Sequence, residues 1–267
     1  MRNLLLLFCC CCLFVACQQT VPQKDITVLH NVSKIDTISY ELKSISQKYG
    51  DCEQVGERCA KADMQYVVIN APKMTAAFEK INKTLENTVK GNAPTVQAAI
   101  DSFIAEATTF YEAFPDVPQG YGMELAQKVI LDTLGIFTIE EFSYTYTGGA
   151  HGNYGTSFYN FDRNTGRILR LADLLIADHK ATLKALAEPI FREKYLEAGM
   201  TQYSEAGFYF ENDTFTLTDN VAITQKGLKF VYNPYEIGPY AMGQQAIVIP
   251  YASLKDLVKE HGVLEQF

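Results

Sequence analysis

Histidine is scarce in this sequence, and the common catalytic and metal-binding motifs are missing. The four histidines, His30, His151, His179 and His261, are not spaced as the ligands of a metal site. There is no His-Glu-x-x-His motif, no Gly-x-Ser-x-Gly nucleophile elbow and no phosphate-binding glycine-rich loop before a helix. The sequence therefore predicts no metal and no cofactor, and it singles out no catalytic residue.

Positive charge is also in short supply. The chain has 23 lysines and arginines against 31 aspartates and glutamates, which gives a formal net charge of −8 at pH 7. No cluster of basic residues stands out, so nucleic acid is not expected as a partner. An acidic surface attracts basic proteins by long-range steering. The alternative is that the negative charge only keeps the protein soluble.

Long apolar runs are confined to the amino terminus. Residues 4–16 form an unbroken apolar run that follows Arg2. The run is shorter than a membrane-spanning helix of about 20 residues and suits the core of a signal peptide. Its last residues, 13–17, resemble a bacterial lipobox, in which the cysteine is acylated. The sequence thus predicts a lipoprotein signal peptide over residues 1–17 with a lipidated Cys17, and an ordinary secretory signal is the alternative.

The lipobox also predicts where the protein acts. Residues 18–24 are mostly polar and are typical of a tether between a lipid and a folded domain. Attachment through Cys17 would hold the protein on a membrane of the bacterial cell envelope. Because Gln18 stands where a retention signal would have Asp, we expect the outer membrane or the periplasmic face.

Only two cysteines remain after the predicted signal peptide. Cys52 and Cys59 are close in sequence and enclose a short polar segment. In an exported protein such a pair is typical of a disulfide. A metal site would need two more Cys or His ligands at suitable spacing, and none lies nearby. The sequence therefore predicts a Cys52–Cys59 disulfide.

Strands and helices are grouped along the chain. Predicted strands cover residues 35–42, 64–69, two stretches of 121–147 around Gly135, 157–161, 167–171 and several segments between 207 and 250. Predicted helices run from Asn70 to Gly91, from Pro94 to Phe114, from Asp178 towards Gly199 with a kink or break at Pro189, and near 254–261. This grouping predicts an α+β fold with antiparallel sheets and helices packed on them. We expect two closely associated domains, residues 25–118 and 119–267.

Two acidic motifs are interpreted as structural. Glu140 and Glu141 are adjacent, so on a strand they face opposite sides and do not form a catalytic pair. The segment with Asp162, Asn164 and Gly166 resembles the start of a calcium loop, but it lacks the glycine at the sixth position. We interpret it as a hairpin turn.

The glycine-rich segment 148–155 contains the histidine in the most interesting setting. His151 is flanked by glycines, which let the backbone turn tightly or approach a ligand closely. Tyr144, Tyr146, Asn153 and Tyr154 add groups that hydrogen-bond and stack. Either His151 and Asn153 bond backbone groups in an irregular corner, or they contact a ligand. The sequence leaves both interpretations open, with a ligand site proposed at these residues.

Several motifs together resemble a known family. Tyr144 to Asn153 reads Tyr-x-Tyr-Thr-Gly-Gly-Ala-His-Gly-Asn. Further motifs are Tyr159-Asn160-Phe161-Asp162, Leu171-x-Asp173-Leu174 and Asn233-Pro234-Tyr235-Glu236-Ile237-Gly238. Over residues 121–258 they resemble the RsiV-like C-terminal domain family, a domain of unknown function (DUF3298). The first half of the chain resembles the PdaC-like domain that precedes it in such proteins, by its strand-loop-strand-helix order and by residues 66–85.

The resemblance implies a binding function at the cell envelope. RsiV-type domains bind lysozyme, and the resemblance adds Tyr235 to the ligand-binding candidates. We expect a non-enzymatic module for a cell-wall glycan or for a cell-wall-acting, basic protein such as lysozyme. The alternatives are an envelope assembly subunit and a peptidoglycan or polysaccharide hydrolase.

Overall fold

The computed structural model describes residues 37–52 and 58–267. The predicted signal peptide, the lipidated Cys17 and the tether lie outside the described residues, so these features stay predictions. Within the described ranges, no helix is both long enough and apolar enough to cross a membrane.

The larger sheet has five strands in the order β1-β2-β3-β4-β5. The strands are β1 Tyr40–Gly50, β2 Cys59–Ile69, β3 Tyr121–Thr133, β4 Ile136–Tyr146 and β5 Asn153–Asp162. Neighbouring strands are antiparallel except β2 and β3, which are parallel. A parallel pair needs a long crossover connection. The two helices α1, Ala76–Lys90, and α2, Val96–Ala113, supply it.

Both crossover helices begin at a threonine cap. The Thr75 hydroxyl accepts a hydrogen bond from the Phe78 amide, and Thr95 caps α2 in the same way. The predicted cap at Asn70 is therefore wrong, because the side chain that accepts from a free amide in the first turn of α1 comes five residues later, at Thr75. Gly91 ends α1 with a positive φ of 56°, as predicted. The apolar face of α1 is buried at Ile81, Leu85 and Val89.

The smaller sheet has three antiparallel strands, β6 Val221–Thr224, β7 Gly227–Tyr232 and β8 Gln245–Ile249. The carboxy-terminal helices are α3 Leu171–Leu174, α4 His179–Tyr195 and α5 Tyr251–Leu254. Pro189 lies inside α4 without ending it. The predicted strand over 167–171 is wrong: it contributes only an isolated bridge between Phe161 and Ile168 before α3 begins.

The five-stranded sheet has helices on one face and the smaller sheet on the other. Phe137 and Ile139 share a core cluster with Ile81 of α1. On the opposite face, Lys229 of β7 lies 3.2 Å from Glu140 of β4. Alternation along the strand explains the two environments. It also confirms the prediction that neighbouring glutamates of β4 face opposite sides.

The sheet is continuous across the predicted domain boundary at residue 118. That boundary lies between α2 and β3, and β3 pairs with β2 from the preceding segment. Both segments therefore contribute strands to one sheet. The two domain ranges remain a prediction.

Cys52 and Cys59 form a disulfide, with their Cα atoms 5.1 Å apart. The bridge joins the end of β1 to the start of β2 and so closes a short loop. Replacing both cysteines with alanine is expected to lower the free energy of unfolding by about 2.5 kcal/mol, because the unfolded chain regains loop entropy. Urea unfolding of wild type and the double variant measures this. Equal midpoints, with the bridge verified by non-reducing peptide mapping of wild type, would contradict the prediction.

Candidate functional site

The connection between β4 and β5 exposes His151. Gly148 and Gly149 have φ values of 107° and 93°, which favour glycine, so the chain reverses within a few residues. At Gly152 a Cβ atom would lie 2.3 Å from the Tyr144 ring. Gly152 therefore lets the Tyr144 ring lie against the backbone directly after the exposed His151.

His151 is held by three contacts. Its ring stacks on Tyr240, with 3.7 Å between centroids and 12° between planes. Its Nδ1 lies 2.8 Å from the carbonyl oxygen of Gly152, and its Nε2 lies 3.2 Å from the Tyr235 hydroxyl. Since the carbonyl can only accept, Nδ1 donates, and in the neutral ring Nε2 accepts from the tyrosine. The ring orientation is thus fixed although the residue is exposed.

Tyr235 has an unusual backbone conformation. Its φ is 71°, and 58 % of its surface is exposed. A non-glycine residue in this region costs about 1–3 kcal/mol and persists only where its surroundings impose it. The Asn233 side chain provides that support, because its Oδ1 accepts from the Thr156 amide at 2.7 Å and from Gln244 Nε2 at 2.7 Å. These bonds attach the Tyr235 loop to β5.

Two further tyrosines, both half-buried, complete an aromatic group around the exposed His151 and Tyr235. The Tyr240 ring lies 5.7 Å from Tyr154 in an edge arrangement and 5.8 Å from Tyr235. Partial burial and the neighbouring tyrosines raise the pKa of Tyr240, so its hydroxyl stays protonated at neutral pH. We call His151, Tyr154, Tyr235 and Tyr240 the aromatic platform.

The structure distributes the sequence-predicted residues unevenly around the aromatic platform. Tyr154 and Tyr235 belong to it with His151, whereas the Tyr146 hydroxyl donates to the Gly149 carbonyl at 3.0 Å and supports the turn. Asn153 is exposed and pairs with Thr145 at the start of β5. Tyr240 lies two residues after Gly238 in the family motif that begins at Asn233, but it is not among the ligand-binding residues predicted from the sequence.

A second polar cluster lies on the helix-facing side of the large sheet. The buried Glu141 carboxylate accepts hydrogen bonds from Thr88 Oγ1 at 2.5 Å, Gln127 Nε2 at 2.8 Å and the Tyr159 hydroxyl at 3.2 Å. Burial, then the nearby carboxylate, raises the pKa of Tyr159 to about 12. Tyr159 therefore remains a donor at neutral pH. The cluster links α1 to β3, β4 and β5.

The described residues contain no cluster of side chains suited to bind a metal ion. Over residues 37–52 and 58–267, no group of three or more His, Cys, Asp or Glu side chains is arranged to hold a metal ion. The donor groups at the aromatic platform are phenols and one imidazole. Their arrangement suits stacking and hydrogen bonding with a ligand.

His151→Ala is expected to change stability by less than about 1 kcal/mol, because the residue is exposed and its contacts with Gly152, Tyr235 and Tyr240 lie at the surface. If His151 only shapes the corner, ligand affinity will not change. If it contacts a ligand, affinity will fall while the melting temperature stays near that of wild type. Thermal unfolding and calorimetric titration on the same preparation separate the two, and a large loss in melting temperature with unchanged affinity would contradict the ligand role.

Two family models match this chain in separate segments. Residues 54–154 match the model described as deacetylase PdaC, and residues 172–252 match the model described as protein of unknown function (DUF3298). The curated peptidoglycan-N-acetylmuramic acid deacetylase PdaC of Bacillus subtilis is 28% identical over 124 residues. That match covers 45% of this chain and 26% of the relative, about a quarter of its length.

Solved structures share the fold. A DUF3298 family member from Bacteroides fragilis superposes with a TM-score of 0.71 at 20% identity, covering 86% of this chain and 97% of that one. A DUF3298 family protein from Pseudomonas aeruginosa PAO1 gives a TM-score of 0.62 at 22% identity, covering 85% and 96%. The α+β fold class predicted from the sequence is thus confirmed. Along the chain, a segment that matches the PdaC model is thus followed by a segment that matches the DUF3298 model.

Proposed function

We propose that this chain, with its DUF3298 domain behind a PdaC-like segment, is a cell-wall-related envelope protein that binds without catalysing a reaction. Its ligand is a cell-wall glycan or a protein that acts on one. The aromatic platform is the observation that supports this proposal. It combines two exposed rings, His151 and Tyr235, with two half-buried tyrosines and with hydrogen-bonding groups whose orientation is fixed.

The chemistry of the platform suits a sugar. Tyrosine presents an apolar ring with a polar hydroxyl, so it can cover the apolar face of a sugar and bond to its edge. The Tyr235 hydroxyl and the His151 imidazole are already oriented, 3.2 Å apart. Binding to a preorganised surface loses little side-chain entropy. These features support recognition of a glycan strand.

The relatives support a cell-wall setting. The Bacillus subtilis relative is, by its name, an enzyme of peptidoglycan N-acetylmuramic acid. The match covers only 26% of that enzyme. We therefore carry over the cell-wall setting and not the deacetylase reaction. The predicted lipoprotein signal with Cys17 supports the same location, at the outer membrane or the periplasmic face.

The charge of the chain supports a protein partner as the second form of the proposal. A net charge of −8 attracts a basic protein such as lysozyme by long-range electrostatic steering. Salt screens this attraction strongly, because it acts over distances of about 10 Å or more. Affinity for lysozyme is then expected to fall as salt rises. Affinity for a glycan that stacks on the platform should depend little on salt, which separates the two ligands.

Tyr235→Ala tests the platform directly. The change removes an exposed ring and the hydrogen bond to His151, so affinity for soluble peptidoglycan fragments should fall about tenfold or more, the effect of losing a central aromatic contact. Isothermal titration calorimetry measures this.

Tyr40→Ala is the matched control. Tyr40 is also an exposed tyrosine, but it lies on β1, at the opposite edge of the sheet from β5. Its removal should leave affinity unchanged. Equal affinities for wild type and Tyr235→Ala, with both folded by circular dichroism, would contradict a platform-based site.

A further inference from the structure

A cavity of about 790 Å³ opens beside β5, between α4 and the segment 215–221. Its volume falls within the range of about 300–1,000 Å³ that is typical of small-molecule sites. Phe158 of β5 lines it and lies four residues along the strand from Tyr154, a spacing of about 13 Å. The cavity is therefore a separate feature from the aromatic platform.

The inner wall of the cavity is apolar. The buried side chains of Leu169, Leu183, Phe215 and Val221 line it. Asn160 also lines it, but its amide already donates to the Val221 carbonyl at 2.8 Å and accepts from the Ile223 amide at 2.7 Å. Sugar hydroxyls placed against these four apolar side chains would lack partners, at a cost of about 1–3 kcal/mol each. The wall suits a hydrocarbon.

Three of the other residues that line the cavity are basic. Arg170, Lys180 and Lys184 line it, with Asp219 as the one acidic residue among the described lining residues. Within residues 37–52 and 58–267, neither lysine forms an ion pair. The local charge is thus opposite in sign to the net charge of −8. An acidic group at this edge would gain charge pairing that a neutral or cationic one would not.

We propose that this cavity binds an anionic amphiphile of the fatty-acid class. The hydrocarbon chain lies against the Leu183 and Phe215 wall, and the carboxylate lies near Lys180 and Lys184. An apolar wall and a cationic edge on one cavity match the two halves of such a molecule. The proposal is independent of glycan or lysozyme binding at the platform.

Calorimetric titration with dodecanoate, below its critical micelle concentration, tests the proposal. Saturable binding is expected, with dodecanol binding more weakly and dodecyltrimethylammonium weakest. Absence of saturable dodecanoate binding would overturn the proposal. Equal affinities for the anionic, neutral and cationic compounds would also overturn it, because the edge would then not select a charge.

Charge reversal separates this cavity from other surfaces. The double variant Lys180→Glu, Lys184→Glu should weaken dodecanoate binding about tenfold or more and leave dodecanol binding near wild type, which also shows that the cavity remains folded. The matched double variant Lys226→Glu, Lys255→Glu changes the net charge equally at exposed lysines that do not line the cavity. Equal losses in both double variants would refute a specific cationic edge.

The absence of tryptophan from the chain allows the binding site to be located. A single Phe158→Trp substitution places a fluorescent reporter on the cavity lining, and Tyr40→Trp places one at the far edge of the sheet. Dodecanoate should change the emission of the first variant saturably, with the calorimetric affinity, and leave the second unchanged. An equal response of both reporters would overturn the assignment.

Discussion

Asn160→Ala is expected to lower the free energy of unfolding by about 2–5 kcal/mol. Asn160 is only 3% exposed, and its amide joins β5 to Val221 and Ile223 of β6 by two hydrogen bonds. Alanine leaves a buried carbonyl and a buried amide without partners, and each costs about 1–3 kcal/mol. Urea unfolding followed by circular dichroism gives the difference.

Asn153→Ala provides the control for this prediction. Asn153 begins the same strand but is exposed, so its replacement should cost less than about 0.5 kcal/mol. If Asn160→Ala is no more destabilised than Asn153→Ala, the two sheets are not joined by this side chain, and the account of their packing is wrong.

Phe191→Ala is expected to cost about 3–5 kcal/mol, the usual range for a buried phenylalanine. Phe191 of α4 is fully buried at the centre of the carboxy-terminal core. Its ring lies within about 6 Å of the rings of Tyr195, Tyr203, Phe208, Phe210, Phe215 and Tyr232. Removing it therefore opens a cavity among aromatic side chains that cannot readily collapse.

Phe114→Ala is the matched change at an exposed ring. Phe114 follows α2 and is 53% exposed, so its loss should cost well under about 1 kcal/mol. Thermal and urea unfolding of both variants tests the contrast. A small loss for Phe191→Ala, similar to that for Phe114→Ala, would contradict the described packing of α4.

Local signals in the sequence predict much of the secondary structure. Two predictions rest on neighbouring residues: the long strands on either side of Gly135, and the end of a helix at Gly91. Both are confirmed. Asp162 and Gly166 likewise form the predicted turn, with the Gly166 amide donating to the Asp162 carbonyl at 2.8 Å. Turn and capping chemistry acts within a few residues, so a single sequence reveals it.

Elements that depend on distant partners are predicted less well. The parallel pairing of β2 with β3 was not predicted, because it arises from the crossover of two helices. The segment after Gly166 was predicted as a strand, but Asp173 accepts from the Arg170 amide at 2.8 Å and starts α3 instead. The strand predicted over 157–161 is longer, since β5 already begins at Asn153.

The candidate site shows the same limit. The sequence places His151 and Tyr154 near each other, but Tyr235 is 84 residues from His151 along the chain. The bonds from Asn233 to Thr156 bring the two segments together, across 77 residues. No local pattern predicts such a contact, and only the family resemblance pointed to Tyr235.

The central claim is tested most directly by calorimetric titration of the chain from residue 18 onward. The ligands are soluble peptidoglycan fragments and lysozyme, each at low and at moderate salt. Mass spectrometry of each mixture then shows whether a product has formed. The account predicts saturable binding to a glycan fragment or to lysozyme, with the ligand recovered unchanged. Release of sugar, acetate or peptide by wild type, lost on substitution of an Asp or Glu, would contradict it and identify a hydrolase.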